Sequence, residues 1–184
     1  MTTEAIQRPD AFFAVQEGPV MGYASHAEFR YELFSPLGRE RLWEAFRDKD
    51  QRARWFGDID FGEAPLQPFV FRAGPGHTHA GEIIEYEAGR FVKFSWVEVG
   101  RMCQNESENA IATLEFKDAP GGGSFVYTQA PVNKVTKYGS GTHAHIDMLK
   151  SFLEGEQFDF RDRFFERYEY WIPKYAEVFG PLKD

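Results

Sequence analysis

The chain has five histidines, the residues best suited to acid–base or metal chemistry, and four of them fall in pairs spaced two apart. His77 and His79 would share one face of a strand, with Glu82 as a nearby third donor. Glu82 has the opposite strand parity, however, so the three do not converge, and the pair reads as solvated histidines in a glycine-rich loop. His143 and His145 fall at the start of a helix, where a spacing of two puts side chains on nearly opposite faces. They cannot hold one ion, and His143 is the candidate ligand contact near a cavity mouth. No structural metal is expected. The single cysteine, Cys103, excludes an internal disulfide and fits a reducing cytoplasm; it reads as a small loop residue. No phosphate-binding glycine loop, serine-nucleophile elbow or Cys/His pairing is visible, and Gly121-Gly122-Gly123 lacks the Lys-Ser/Thr that would follow in a phosphate loop. No catalytic residue and no cofactor is assigned.

The strongest constellation is apolar. Aromatic residues make up 17% of the chain, with 19 phenylalanines. Trp43, Trp55, Phe69, Phe71, Phe94, Trp96 and Tyr127, together with His143, are the candidate lining of a pocket. Aromatic walls with a few polar groups suit small hydrophobic ligands. Burying about 200 Å² of apolar ligand surface would contribute on the order of 5 kcal/mol before ordering costs. The alternative is that these rings pack on one another.

The elements that must position these rings follow from periodicity. Residues 1–22 are broken by Pro9, Gly18, Pro19 and Gly22 and read as an arm, docked by Phe12 and Phe13. From His26 to Phe34, Phe29, Tyr31 and Leu33 alternate with charged residues, the pattern of a half-buried strand. Ser35-Pro36 is expected to cap and open a helix carrying Leu42, Trp43 and Phe46. A second turn brings Trp55-Phe56 inward. A run of antiparallel strands follows, over Ile59–Phe61, Phe69–Arg72, Thr78–Glu87, Arg90–Val97, Asn109–Asp118 and Ser124–Gln129. Gly100–Glu108 reads as a polar loop. Phe94 and Trp96 share a strand face. Pro131–Gly141 shows no core pattern, and helical spacing of Ile146, Leu149, Phe152 and Leu153 predicts a helix over 142–154, capped by Thr142 or Ser140 and stopped by Gly155. Strands after two helices, then a long helix, is an α+β order.

The ordered set Phe34-Ser35-Pro36, Leu42-Trp43, Trp55-Phe56, Gly81-Glu82-Ile83-Ile84-Glu85, Phe94-Ser95-Trp96, Ala112-Thr113-Leu114-Glu115-Phe116 and Tyr127-Thr128-Gln129 resembles the START-like (SRPBCC) superfamily. Within it, the chain is similar to proteins like the C-terminal domain of the activator of the ninety-kilodalton heat-shock-protein ATPase. The resemblance covers roughly residues 26–153. It implies a helix-grip fold, a curved antiparallel sheet wrapped around the long helix, with the domain at 23–155. That superfamily hosts carriers, cyclases, dioxygenase subunits and co-chaperones. Its helix usually starts with Gly-Trp, where this chain has Gly141-Thr142.

Residues 156–184 extend past that domain as an added C-terminal helix. Phe160, Phe164, Tyr168, Trp171, Ile172, Tyr175 and Phe179 form its apolar stripe, Asp159 and Arg163 are spaced to pair, and Pro173 is expected to kink or restart it. Large exposed apolar patches are rare on soluble monomers. The stripe is therefore expected either to pack on its own domain or, as the favoured reading, to make a homodimer contact with Phe164, Tyr168, Trp171 and Tyr175 inward. The net charge of −8 argues against a nucleic-acid partner. No apolar run reaches membrane-spanning length, and no signal peptide is visible. The leading function is binding a small hydrophobic or aromatic ligand between sheet and long helix. The alternatives are a co-chaperone acting on a heat-shock-protein ATPase, in keeping with a stress response, and a cyclase- or hydratase-type enzyme using the same pocket.

Overall fold

The computed structural model describes residues 11–74, 77–99, 109–132 and 134–182. Residues 100–108, read from sequence as a polar loop and including Cys103, lie outside the described residues, as does the side chain of His77. The elements are β1 (Phe12–Glu17), β2 (Val20–Ser25), β3 (Phe29–Ser35), α1 (Arg39–Arg47), α2 (Lys49–Trp55), β4 (Asp58–Ile59), β5 (Pro68–Gly74), β6 (His77–Glu87), β7 (Phe91–Val99), β8 (Asn109–Ala119), β9 (Gly122–Ala130), α3 (Val135–Leu153) and α4 (Phe160–Phe179). Together they form an α+β helix-grip fold. The strands make one antiparallel sheet in the order β1-β2-β3-β9-β8-β7-β6-β5-β4. It curls around α3, and α4 lies across α3.

The concave face follows strand parity. Phe29, Tyr31 and Leu33 on β3, Val92, Phe94 and Trp96 on β7, and Ala110, Ala112, Leu114 and Phe116 on β8 are all buried. On β9, Phe125, Tyr127 and Gln129 pair across to Leu33, Tyr31 and Phe29. This alternation is what a sheet with one covered face requires.

Several elements depart from the sequence reading. Residues 12–25 are not an arm but a hairpin that extends the sheet, with Glu17 opposite Val20 across the Gly18-Pro19 turn. Gly22 looked like a breaker; it is there because a Cβ at that position would lie 2.0 Å from the Arg30 carbonyl oxygen. Ser35-Pro36 does not open α1. Ser35 ends β3, its Oγ accepts from the Leu37 amide at 3.2 Å, and α1 starts four residues later at Arg39.

Helix α3 begins at Val135, seven residues before the expected start, so Thr142 and Ser140 are interior and cap nothing. Gly139, Ser140 and Gly141 depress helix propensity. They serve packing instead, because a Cβ on Gly139 would sit 2.5 Å from the Tyr175 ring. Pro173 lies inside α4, which runs on to Phe179. Asp159 does not pair with Arg163. It caps α4, accepting from the amides of Arg161 at 2.9 Å and Asp162 at 3.1 Å, while Arg163 reaches Glu156 at 3.1 Å.

The stripe on α4 packs on its own chain. Trp171 and Tyr175 are buried against α3 and β3, and Phe164 and Tyr168 flank the cavity described below. The Tyr175 hydroxyl is 2.6 Å from that of Tyr31. Thr136 Oγ1 donates to the Gly180 carbonyl at 2.7 Å, tying the end of α4 to the start of α3. The residues expected to face a second copy are thus engaged within one chain.

Candidate ligand cavity

A cavity of about 240 Å³ lies between the concave sheet face, the C-terminal end of α2, and the N-terminal halves of α3 and α4. Trp55 and Phe56 reach it from α2, where Trp55 Nε1 donates to the Ala45 carbonyl at 2.9 Å and so fixes the ring. A buried arginine sets the same corner. Arg52 donates to the carbonyls of Phe46 at 2.8 Å and Ile59 at 3.0 Å, closing the end of α1 onto β4.

The sheet side is an aromatic stack. His79 lies on Trp96 with ring centroids 4.6 Å apart, Phe71 on His79 at 5.7 Å, and Phe56 on Phe71 at 5.7 Å with 9° between planes. Phe125, Tyr127 and Gln129 of β9 continue this wall, and Gly141, Thr142, His145 and Ile146 of α3 face it. Phe164, Phe165 and Tyr168 of α4 add a further wall, with Lys137 and Tyr138 also at its boundary.

Of the residues singled out from sequence, Trp55, Phe71, Trp96 and Tyr127 line this space. Trp43, Phe69, Phe94 and His143 do not. Trp43 packs between α1 and the sheet against Phe116 at 5.1 Å and Tyr86 at 5.9 Å, away from α3. Phe69 and Phe94 are covered by Phe61, at 4.5 and 5.0 Å, so they meet another ring rather than empty space. His143 is turned to the opposite side of α3, between Tyr31 at 5.2 Å and Trp171 at 3.5 Å. His145 is the histidine on the cavity side, because two residues of helix rotate a side chain by about 200°. His79, read as solvated, is buried in the cavity wall.

Two polar groups of the cavity are held in defined orientations by hydrogen bonds. Tyr127 donates its hydroxyl to Gln129 Oε1 at 2.6 Å. His145 Nδ1 lies 2.9 Å from the Trp55 carbonyl oxygen. A carbonyl only accepts, so Nδ1 carries the hydrogen. Burial pushes the His145 pKa down to about 4, only partly offset by that backbone hydrogen bond, so the ring is neutral at neutral pH.

A second polar cluster lies behind α3. Glu17, His143 and Asp147 bring one ligand-type atom each within 4.8 Å of one another. Their carboxylates already have cationic and N–H partners. Asp147 Oδ2 accepts from Arg167 Nε at 2.8 Å, Arg167 Nη2 at 2.6 Å and Trp171 Nε1 at 2.7 Å, and Glu17 lies 3.9 Å from the same guanidinium. Burial, then the nearby Arg167 and Lys174 charges, hold His143 down to about 3. An ion here would sit beside two cations, so the donor set fits an internal ion pair that docks α4 better than a metal.

The model of the family described as "Activator of Hsp90 ATPase homolog 1-like protein" matches residues 36–154, well over half of the chain. This chain belongs to the Activator of Hsp90 ATPase homolog 1-like family. The solved structures agree on the fold. CalU16 from Micromonospora echinospora is 17% identical with a TM-score of 0.60, covering 89% of this chain and 94% of its own. A conserved protein of unknown function from Enterococcus faecalis, EF2215, is 14% identical with a TM-score of 0.60, covering 91% of each chain. MLL2253 from Mesorhizobium loti is 17% identical at a TM-score of 0.54, covering 80% of this chain and 97% of its own. The family match, together with these shared folds, places the chain in the START-like (SRPBCC) superfamily. No curated protein matches the sequence. The family match ends at residue 154, so the wall built from Phe164, Phe165 and Tyr168 lies beyond the matched region. Among the described residues, no helix is long and apolar enough to cross a membrane.

Proposed function

We propose that this member of the family binds a small hydrophobic or aromatic ligand in the cavity between the sheet and helices α3 and α4. One observation carries the reading: a space of about 240 Å³ walled by Trp55, Phe56, Phe71, Trp96 and Phe125, with a few polar groups at defined positions. Ligand pockets commonly span about 300–1,000 Å³, so this one suits a compact ligand. The cavity, rather than the family description, supports this reading over a co-chaperone role. Such a role needs an exposed contact surface and places no demand on the interior.

Native mass spectrometry of freshly purified full-length protein tests it, followed by titration of delipidated protein with a two-ring aromatic probe monitored through tryptophan emission. Co-purified small molecule, or saturable quenching that Trp96→Ala weakens, supports ligand binding. Mass-pure apoprotein with no saturable probe binding overturns it.

A further inference from the structure

Gln129 is 1% exposed on the concave face of β9. Its cross-strand neighbours are Phe29 and Ala112, so the sheet around it is apolar. Its Oε1 is taken by the Tyr127 hydroxyl, yet Nε2 has no hydrogen-bond partner. Leaving a buried amide N–H unpaired is costly, and native interiors rarely do so. Gln129 borders the cavity, so that is where a partner for Nε2 can sit. The phenol donating to Oε1 also polarises the amide and strengthens its N–H donors.

His145 supplies the opposite polarity. Its Nδ1 hydrogen is committed to the Trp55 carbonyl, so in the neutral ring Nε2 holds a lone pair and accepts. Among the polar side chains at its boundary, the cavity therefore sets an amide donor and an imidazole acceptor against aromatic walls, contributed by elements on opposite sides of it.

We infer that the cavity selects an aromatic ligand bearing both a carbonyl oxygen, to accept from Gln129, and a hydroxyl, to donate to His145. This inference rests on the ligand-binding reading above and narrows it to hydroxylated aryl ketones or esters. Purely apolar ligands would leave the Gln129 amide unpaired and are discriminated against for that reason.

The test uses full-length protein and four probes of closely matched shape: 6-acetyl-2-naphthol, 2-acetylnaphthalene, 6-ethyl-2-naphthol and 2-ethylnaphthalene, each titrated by calorimetry. The first is expected to bind tightest, and loss of either polar group to weaken binding about tenfold. In Gln129→Leu the advantage of the acetyl group disappears and the hydroxyl preference stays; in His145→Phe the reverse holds. An acetyl preference that persists in folded Gln129→Leu overturns the assignment. Equal affinities of wild-type protein for all four probes overturn the inference and leave the ligand-binding reading intact. Absence of binding by all four, with no co-purified ligand, overturns both. Because the wild-type series ranks the probes by itself, the inference stays testable should either variant fail to fold.

Discussion

His143 and His145 stand two residues apart on α3 and face opposite sides of it, His143 stacked on Trp171 at 3.5 Å and His145 hydrogen-bonded to the Trp55 carbonyl at 2.9 Å. Both are held neutral by burial, with pKa values lowered to about 3 and about 4. Both folded values lie below the unfolded value near 6.5, so unfolding takes up protons once the pH falls below about 6.5. The stability the two contribute is whole above that pH and is lost as pH falls toward the folded values. Asp147, whose pKa burial raises, opposes this at lower pH, since the folded state then takes its proton more readily. Between pH 7.5 and pH 5 the loss is about 2 kcal/mol for each histidine. Urea unfolding at the two pH values measures it, and equal stabilities would contradict it.

Phe94 and Trp96 share the concave face but meet different surroundings. Phe94 is 0% exposed and enclosed by Phe61 and Phe69, so Phe94→Ala is expected to destabilise by about 3–5 kcal/mol. Trp96 borders the cavity, so part of its ring has no protein neighbour to lose. Trp96→Ala is expected to destabilise less and to change probe affinity instead. Paired denaturation curves and probe titrations check this; the reverse ranking would place the empty space elsewhere.

Two glycines of α3 should respond with opposite signs. A Cβ on Gly139 would lie 2.5 Å from Tyr175 Cε1, and Tyr175 cannot swing aside without breaking its bonds to Tyr31 and His143. Gly139→Ala is expected to destabilise by about 1–3 kcal/mol. A Cβ on Gly141 meets only Phe164 and Tyr168, at 4.0 Å, which is ordinary contact. There the better helix propensity of alanine should stabilise by up to about 1 kcal/mol. Urea midpoints of the two variants decide it.

Removing α4 by truncation after Gly155 would strip Trp171 from Asp147 and His143, and Tyr175 from Tyr31. It would also open one side of the cavity. The truncated chain is expected to be insoluble or unfolded, as judged by expression, circular dichroism and light scattering. A soluble, folded, truncated monomer would show that α4 is dispensable to the domain.

By itself the sequence determined the strand parities and the two faces of α3. The alternation around Phe29, Tyr31 and Leu33, and again around Val92, Phe94 and Trp96, places these rings on one face, because side chains on a strand repeat every two residues. The spacing of His143 and His145 likewise separates them on any helix. What it could not supply was the partner each face meets. Nothing local distinguishes Phe94, capped by Phe61 from a distant loop, from Trp96, which borders a void. The side of α3 that carries His143 became interior only because α4, twenty-odd residues later, lies across it. Gly22 reads locally as a breaker, and Gly139 falls in a stretch that shows no core pattern, since low intrinsic propensity is visible in sequence. The backbone of Arg30 and the ring of Tyr175, which require their missing side chains, are brought close only by the tertiary fold. The unpaired amide of Gln129 is of the same kind: its apolar neighbours and the adjoining cavity exist only once β9 is paired between β3 and β8.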